Sequence, residues 1–227
     1  MNKLMTFTTA AAMASALLSG TAIAQNATAT ATADLNIRSG PGPQYSSIGF
    51  ITSGDSALVE GCLEASKWCR VDYEGVSGWS YSDYLTADLS GETVVLTERY
   101  VDVGLETVTY TDDGSAGGGA IAGAASGAVV GALVGGPLGA AVGGTVGAAS
   151  GATAGAIIDP PETARAYVTA NPVEPVYLEG EVVIGAGVPD TVSLQTIPDY
   201  DYRYVYINGQ PVLVDPGSRQ IVYVIRQ

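Results

Sequence analysis

Few residues in this chain have types and spacings that could do chemistry. Its 227 residues include no histidine and only two cysteines, Cys62 and Cys69. Without histidine there is no Ser-His-Asp or Cys-His machinery and no His-ligated metal. The cysteine spacing is not the C-x-x-C of a redox pair, and in an oxidising compartment the two would close a small loop as a structural clip. Chain entropy gives such a clip at most about 2.5 kcal/mol. The many glycines follow no strand and precede no G-K-[ST], so they do not form a phosphate cradle. A two-carboxylate glycosidase needs a sizeable cleft, and no segment is long enough to suggest one. The chemistry that remains is recognition. Tyr45, Trp68, Tyr73, Tyr81 and Tyr84 fall in one short region. Their faces can stack on sugars or small peptides while their polar edges stay wet; the competing reading is that they complete a small core, as the pattern around Trp79 suggests for that ring. A second set, Tyr200, Tyr202, Tyr204 and Tyr206, recurs at every other residue and so shares one strand face. That face is either half-buried in a sheet or free to stack. Asp199 and Asp201 could approach a cation there, but read better as a solvated edge.

The elements that position these residues begin with an export signal. Lys3 precedes a largely apolar run from Leu4 to Leu18, and Ala22-Ile23-Ala24 is an A-x-A cleavage site. The run is short of the ~20 residues that a membrane span needs, and no cysteine at the cleavage site offers a lipid attachment point. We therefore expect an exported protein, in the periplasm or the cell envelope, the outer membrane included. The charge balance is 9 Lys+Arg against 23 Asp+Glu, a net charge of −14. Such a field repels nucleic acid and anionic lipid head groups, so no nucleic-acid partner is expected. Nothing in the sequence calls for a cofactor or a metal.

Asn26 to Thr32 alternates Ala and Thr and reads as a polar tether. From Ala33 to Ala87 short strands alternate with turns. Leu35 and Ile37 alternate with Asn36 and Arg38, Ser39-Gly40-Pro41-Gly42-Pro43 breaks the chain, and Ile48 to Ile51 and Leu58-Val59 are further apolar runs. Trp68 to Tyr73 has a period of two, and Glu74-Gly75 turns it back into Ser77 to Tyr81. Five short strands without a helix predict a small barrel.

Leu35-Asn36-Ile37-Arg38-Ser39-Gly40-Pro41-Gly42, then Tyr45, Gly61-Cys62, Trp68-Cys69-Arg70-Val71 and Gly78-Trp79-Ser80-Tyr81-Ser82-Asp83-Tyr84-Leu85, resemble the bacterial SH3 (SH3b) family. The resemblance implies a small β-barrel and, as in many exported members, binding of cell-wall glycopeptide. Given the acidity of the chain, recognition would rest on shape and hydrogen bonds.

Asp88 to Asp113 is acidic, with β-prone runs at Thr93–Thr97 and Thr107–Thr111. It is either an extended spacer or a source of strands for a neighbour. The uncharged stretch from Gly117 to Ile158 follows. Gly119, Gly123, Gly127, Gly131, Gly135, Gly139, Gly143, Gly147, Gly151 and Gly155 recur at every fourth residue, one slowly drifting face of a helix. Each Gly costs about 1 kcal/mol against Ala in a helix, so close packing or lipid must enforce the structure. Gly135-Gly136-Pro137 divides the stretch into Gly118–Val134 and Leu138–Ile158, about 25 and 31 Å long as helices. A membrane-inserted helical hairpin is the expectation. A packed soluble or oligomeric hairpin and a plain linker are the alternatives. The pattern resembles the glycine-zipper segments of bacterial envelope proteins.

Asp159-Pro160-Pro161-Glu162 reads as a helix start with Asp159 as the cap, leading a short helix to Ala170. Extended chain and a three-strand meander follow, with Asn208-Gly209 as a hairpin turn. Pro198-Asp199-Tyr200-Asp201-Tyr202-Arg203-Tyr204, Asn208-Gly209-Gln210, Val214-Asp215-Pro216 and Arg219-Gln220-Ile221-Val222-Tyr223-Val224-Ile225 resemble a domain of unknown function found at the ends of proteobacterial exported proteins.

The expected organisation is therefore a signal peptide at 1–24, a linker at 25–32, an SH3b-like barrel at 33–87, an acidic spacer with or without strands at 88–116, a glycine-zipper helical hairpin at 117–158 and a C-terminal α+β domain at 159–227. The fold class is mainly β with an α-helical hairpin. The expected function is that of a non-catalytic envelope protein: the barrel binds cell-wall glycopeptide and the zipper anchors in a membrane or makes a homo-oligomer. The alternative is a soluble periplasmic binding or sensing protein whose zipper is an oligomer interface.

Overall fold

The computed structural model describes residues 26–64, 66–111, 133 and 158–226. The expected signal peptide and the ten zipper glycines lie outside them. Among the described residues no helix is long and apolar enough to cross a membrane.

The fold is mainly β. Strands β1 (Ala27–Ala31), β2 (Leu35–Arg38), β3 (Ser47–Ile51), β4 (Ser56–Leu63), β5 (Trp68–Tyr73), β6 (Val76–Tyr81), β7 (Leu85–Leu89) and β8 (Glu92–Val95) form one antiparallel sheet in the order β3-β2-β6-β5-β4-β1-β7-β8. A short helix, α1 (Leu96–Arg99), follows, and then β9 (Glu106–Val108), which adds to β4 in parallel. The hairpins turn where the sequence supplies left-handed backbone: Glu74-Gly75 and Ser90-Gly91 both have positive φ.

One expectation is corrected here and one open reading is decided. The Ala/Thr stretch is not a tether. It is β1, paired with β4 and β7, and it buries Ala29 and Ala31 while its threonines face outward. Its alternation is the period of a half-buried strand, with Ala29 and Ala31 on the buried face. The acidic spacer, for which both readings were open, supplies strands. β9 docks against the far half of β4 because Gly61 has no side chain. A Cβ there would sit 2.5 Å from Val108 Cγ1 and 2.7 Å from the Glu106 carbonyl.

The C-terminal part opens with α2 (Glu162–Ala170). Its N-terminal flank is Pro161, with no side-chain cap. The expected cap Asp159 instead lies 4.0 Å from Arg165. A second antiparallel sheet follows in the order β10 (Gln195–Ile197), β11 (Tyr200–Ile207), β12 (Gln210–Val214), β13 (Ile221–Val224). It has one strand more than the expected meander. The Asn208-Gly209 turn joins β11 to β12 with positive φ at both residues.

Alternation gives this second sheet two buried faces. Tyr204, Leu213 and Val222 pack with Ala164 and Val168 of α2. Val205, Ile207, Val212, Val214, Ile221 and Val224 join a core that also contains Leu35, Ile37, Val59, Val71 and Trp79 of the first sheet. Leu178, Val182 and Val183, from the extended segment before β10, complete it. The first sheet and the C-terminal part thus share one hydrophobic core.

Candidate functional site

The rings read as recognition surface are mostly inside. Trp68, Tyr81 and Tyr84 are buried. Trp68 meets Tyr81 edge-on at 5.4 Å, and Tyr84 tilts against Tyr81 at 6.3 Å, arrangements that suit ring quadrupoles. Burial, first, and then the nearby carboxylates Asp83, Glu179 and Glu181 raise the pKa of the Tyr81 hydroxyl well above its usual value. Tyr84 is raised by the same two causes, with Glu181 its leading carboxylate. These three side chains build the core rather than a surface. Tyr73 is half-buried at the margin of the sheet, and its hydroxyl donates to Asp55 at 2.6 Å. Trp79 is buried, as its pattern suggests. Tyr110, from the spacer, packs edge-on against both Trp79 (5.5 Å) and Tyr45 (5.9 Å). Cys62 and Cys69 form the expected disulfide, lying directly opposite each other on β4 and β5.

The tyrosine ladder faces α2. The Tyr204 hydroxyl donates to the Asn171 carbonyl at 2.9 Å and Tyr206 to the Val168 carbonyl at 3.2 Å. Both acceptors lie at the helix C-terminus, where intrahelical partners run out; Val168 also accepts the Asn171 amide at 3.3 Å. Asp199 and Asp201 are exposed.

A polar cluster invisible in the sequence lies between the two sheets. All four residues of β2 are buried, so Asn36 and Arg38 do not face solvent. Arg38 and Glu181 have fully buried side chains (0 % exposed on both sides). The guanidinium clasps the carboxylate as a fork, Nε to Oε2 at 3.1 Å and Nη2 to Oε1 at 2.8 Å. Its Nη1 donates to the carbonyls of Tyr45, Asn208 and Pro43 at 2.8, 3.2 and 3.4 Å. Glu181 Oε1 also accepts from Asn36 Nδ2 at 2.9 Å and from the Val182 amide at 2.8 Å. Asn36 and Gln210 exchange reciprocal amide hydrogen bonds of 2.9 and 2.8 Å. The Asn208 side chain clamps the opposing backbone, accepting from the Leu178 amide and donating to the carbonyls of Leu178 and Gly180. One arginine therefore holds the 39–46 loop, the 176–182 segment and the β11–β12 turn at once.

Beside this cluster the two sheets frame a groove of about 470 Å³, within the range of small-ligand sites. The first sheet and its β2–β3 loop contribute Gln44, Tyr45 and the outer residues Ile48 and Phe50 of β3. The C-terminal part contributes Tyr177, Tyr206, Gln210, Pro211 and Arg226. Ile48 and Phe50 are both 44 % exposed. Arg226 stacks over the Phe50 ring at 5.0 Å and pairs with Asp34 at 3.3 Å. Of the five sequence-predicted rings, the groove includes Tyr45 alone. An aromatic plate, planar amides and one partly neutralised cation can hold a small peptide or a sugar through stacking and hydrogen bonds. Among the described residues no cluster of His, Cys, Asp and Glu could hold a metal.

Comparison with known proteins agrees with this layout. Residues 33–86 match the bacterial SH3 domain, 94–159 the YMGG-like Gly-zipper and 167–226 the domain of unknown function DUF1236. The candidate N-acetylmuramoyl-L-alanine amidase YrvJ of Bacillus subtilis (strain 168) is 34 % identical over 74 residues, which cover 33 % of this chain and 14 % of that protein. No solved structure is a significant match. The chain carries, in order, a bacterial SH3 domain, a YMGG-like Gly-zipper and a DUF1236 domain.

Proposed function

We propose that this is a non-catalytic, exported cell-envelope protein whose folded body binds cell-wall glycopeptide in the groove between its two sheets. The observation that carries the reading is the groove itself, an open aromatic and amide-lined recess built on the β2–β3 loop of a bacterial SH3 domain. The likeness to an amidase with a wall-directed name supports the same ligand class. The lack of histidine supports a binding role. The test is retention of the whole mature chain on purified peptidoglycan, compared with Phe50→Ala and Gln44→Ala. Retention lost by at least about fivefold in the variants is expected. No retention above a heat-denatured control would end the reading. The whole chain is needed, because the SH3 domain shares its core with the C-terminal part.

A second reading concerns the central stretch. It either anchors in a membrane or packs as a soluble or oligomeric element. Leu133 supports the packed form: its amide donates to the Glu179 carbonyl at 2.9 Å, and its Cβ lies 3.5 Å from where a Cβ on Gly180 would be. On this reading the protein is a periplasmic binding protein whose glycine face meets its own body or further copies.

A further inference from the structure

The C-terminal domain has no assigned role, and its placement supplies one. Its extended segment is tied to its own sheet at both ends, Val176 to Ile207 and Gly187 to Gln220, and between them Glu181 reaches the SH3 domain. Glu181 is buried without a counter-charge of its own module, and its guanidinium partner comes from β2, 143 residues earlier. Neither charge can be left alone out of water. The SH3 side is built to match. Asn36 presents its amide to both Glu181 and Gln210, and Arg38 reaches the Asn208 carbonyl in the opposing turn. Apolar residues from both parts fill one core around this cluster.

We propose that the DUF1236 domain acts as an in-cis docking partner of the SH3 domain, seating Glu181 on Arg38 so that the two modules form one folding unit. This goes beyond the wall-binding reading and does not rest on it. The docking has a topological consequence. Tyr110 is packed on Trp79 and Tyr45 at one end of the central stretch, and Ile158 packs with the α2 cluster at the other. The folded body therefore holds the residues that flank the central stretch on both sides, Tyr110 and Ile158.

The test uses the full mature chain with a specific protease site inserted after Ala125, so that complete cleavage leaves the halves joined only by contacts. In native buffer with mild detergent the two pieces should co-elute on gel filtration and separate only in denaturant. Glu181→Leu should weaken their association by at least about tenfold. Pairing it with Arg38→Met should restore much of that loss, because an apolar pair leaves no orphaned charge. Pieces that separate freely in the unmodified background, or a Glu181→Leu protein that holds as tightly, would overturn the proposal. Hydrogen exchange on the uncut chain gives a measurement that no substitution can spoil. The amides of β2 and those of Leu178 and Val182 should share one protection level and one opening event. Independent opening of the two sets would refute a single folding unit.

Discussion

At the residue scale, Arg38 and Glu181 form a fully buried ion pair. Breaking a buried pair from one side costs about 3–5 kcal/mol, so Glu181→Gln should lower stability by that order in urea unfolding, where the midpoint reports it. The cost arises because Arg38, 0 % exposed, keeps its charge with no carboxylate to meet it. Tyr81 and Tyr84 give a pH signature. Their folded pKa values lie above the ordinary tyrosine value of about 10. The protonated hydroxyls therefore contribute stability that is complete below about pH 10 and is lost as pH rises beyond it, since the unfolded chain can ionise them and the folded chain resists. The urea midpoint should fall between pH 9.5 and 11.5, and Tyr81→Phe with Tyr84→Phe should flatten that fall. An unchanged slope in the double variant would count against burial as the cause. Some of this is legible in the sequence. The cysteine clip follows from spacing and from an expected oxidising compartment, and the core role of Trp79 from its alternating neighbours. Arg38 is not, because nothing local distinguishes an arginine on a solvated strand face from one whose carboxylate partner lies 143 residues away.

At the element scale, local rules succeeded where the chain's own chemistry decided the outcome. Glu74-Gly75 and Asn208-Gly209 are turns because those pairs tolerate left-handed backbone, and the tyrosine alternation placed four rings on one face of β11. Pairing decided the rest. β1 alternates correctly, yet alanine and threonine alone do not say that β4 and β7 will receive them. β9 depends on a gap left by a glycine more than forty residues upstream. Gly61→Val would fill that gap, and we expect a loss of about 1–3 kcal/mol with selective exposure of 106–108 to exchange, while the Cys62–Cys69 clip stays oxidised. The cover that α2 gives the second sheet depends on two hydroxyls. Tyr204→Phe and Tyr206→Phe each remove a donor to the helix end, at about 1 kcal/mol apiece. Thermal unfolding should show the double loss as a lower midpoint, with α2 fraying first from Asn171.

For the whole molecule, the question is where the uncharged central stretch goes, and three described points constrain it. Its approaches, at Tyr110 and at Ile158, are held by the folded body. Leu133, just before the Gly135-Gly136-Pro137 break, is hydrogen-bonded to Glu179 on that same body. A limb from Gly118 to Val134 crossing a bilayer as a helix would carry its far end about 25 Å from its start, away from a body whose surface is polar and acidic. A Leu133 that stays on Glu179 cannot also lie at the far side of a membrane. The packed form therefore predicts that the mature chain is extracted from cells with salt or alkaline carbonate and migrates as a defined species. Glycines facing a packing partner leave no room for side chains, so Gly127→Leu and Gly143→Leu should broaden or shift that species on gel filtration while leaving peptidoglycan retention intact. Retention in the membrane pellet after carbonate, unchanged by either substitution, would favour the bilayer hairpin instead. Leu133→Asp separates the two directly. Beside Glu179 it introduces a like charge and should loosen the central stretch from the body, seen as new protease cleavage within 114–157, whereas a bilayer-inserted stretch would lose its membrane association altogether.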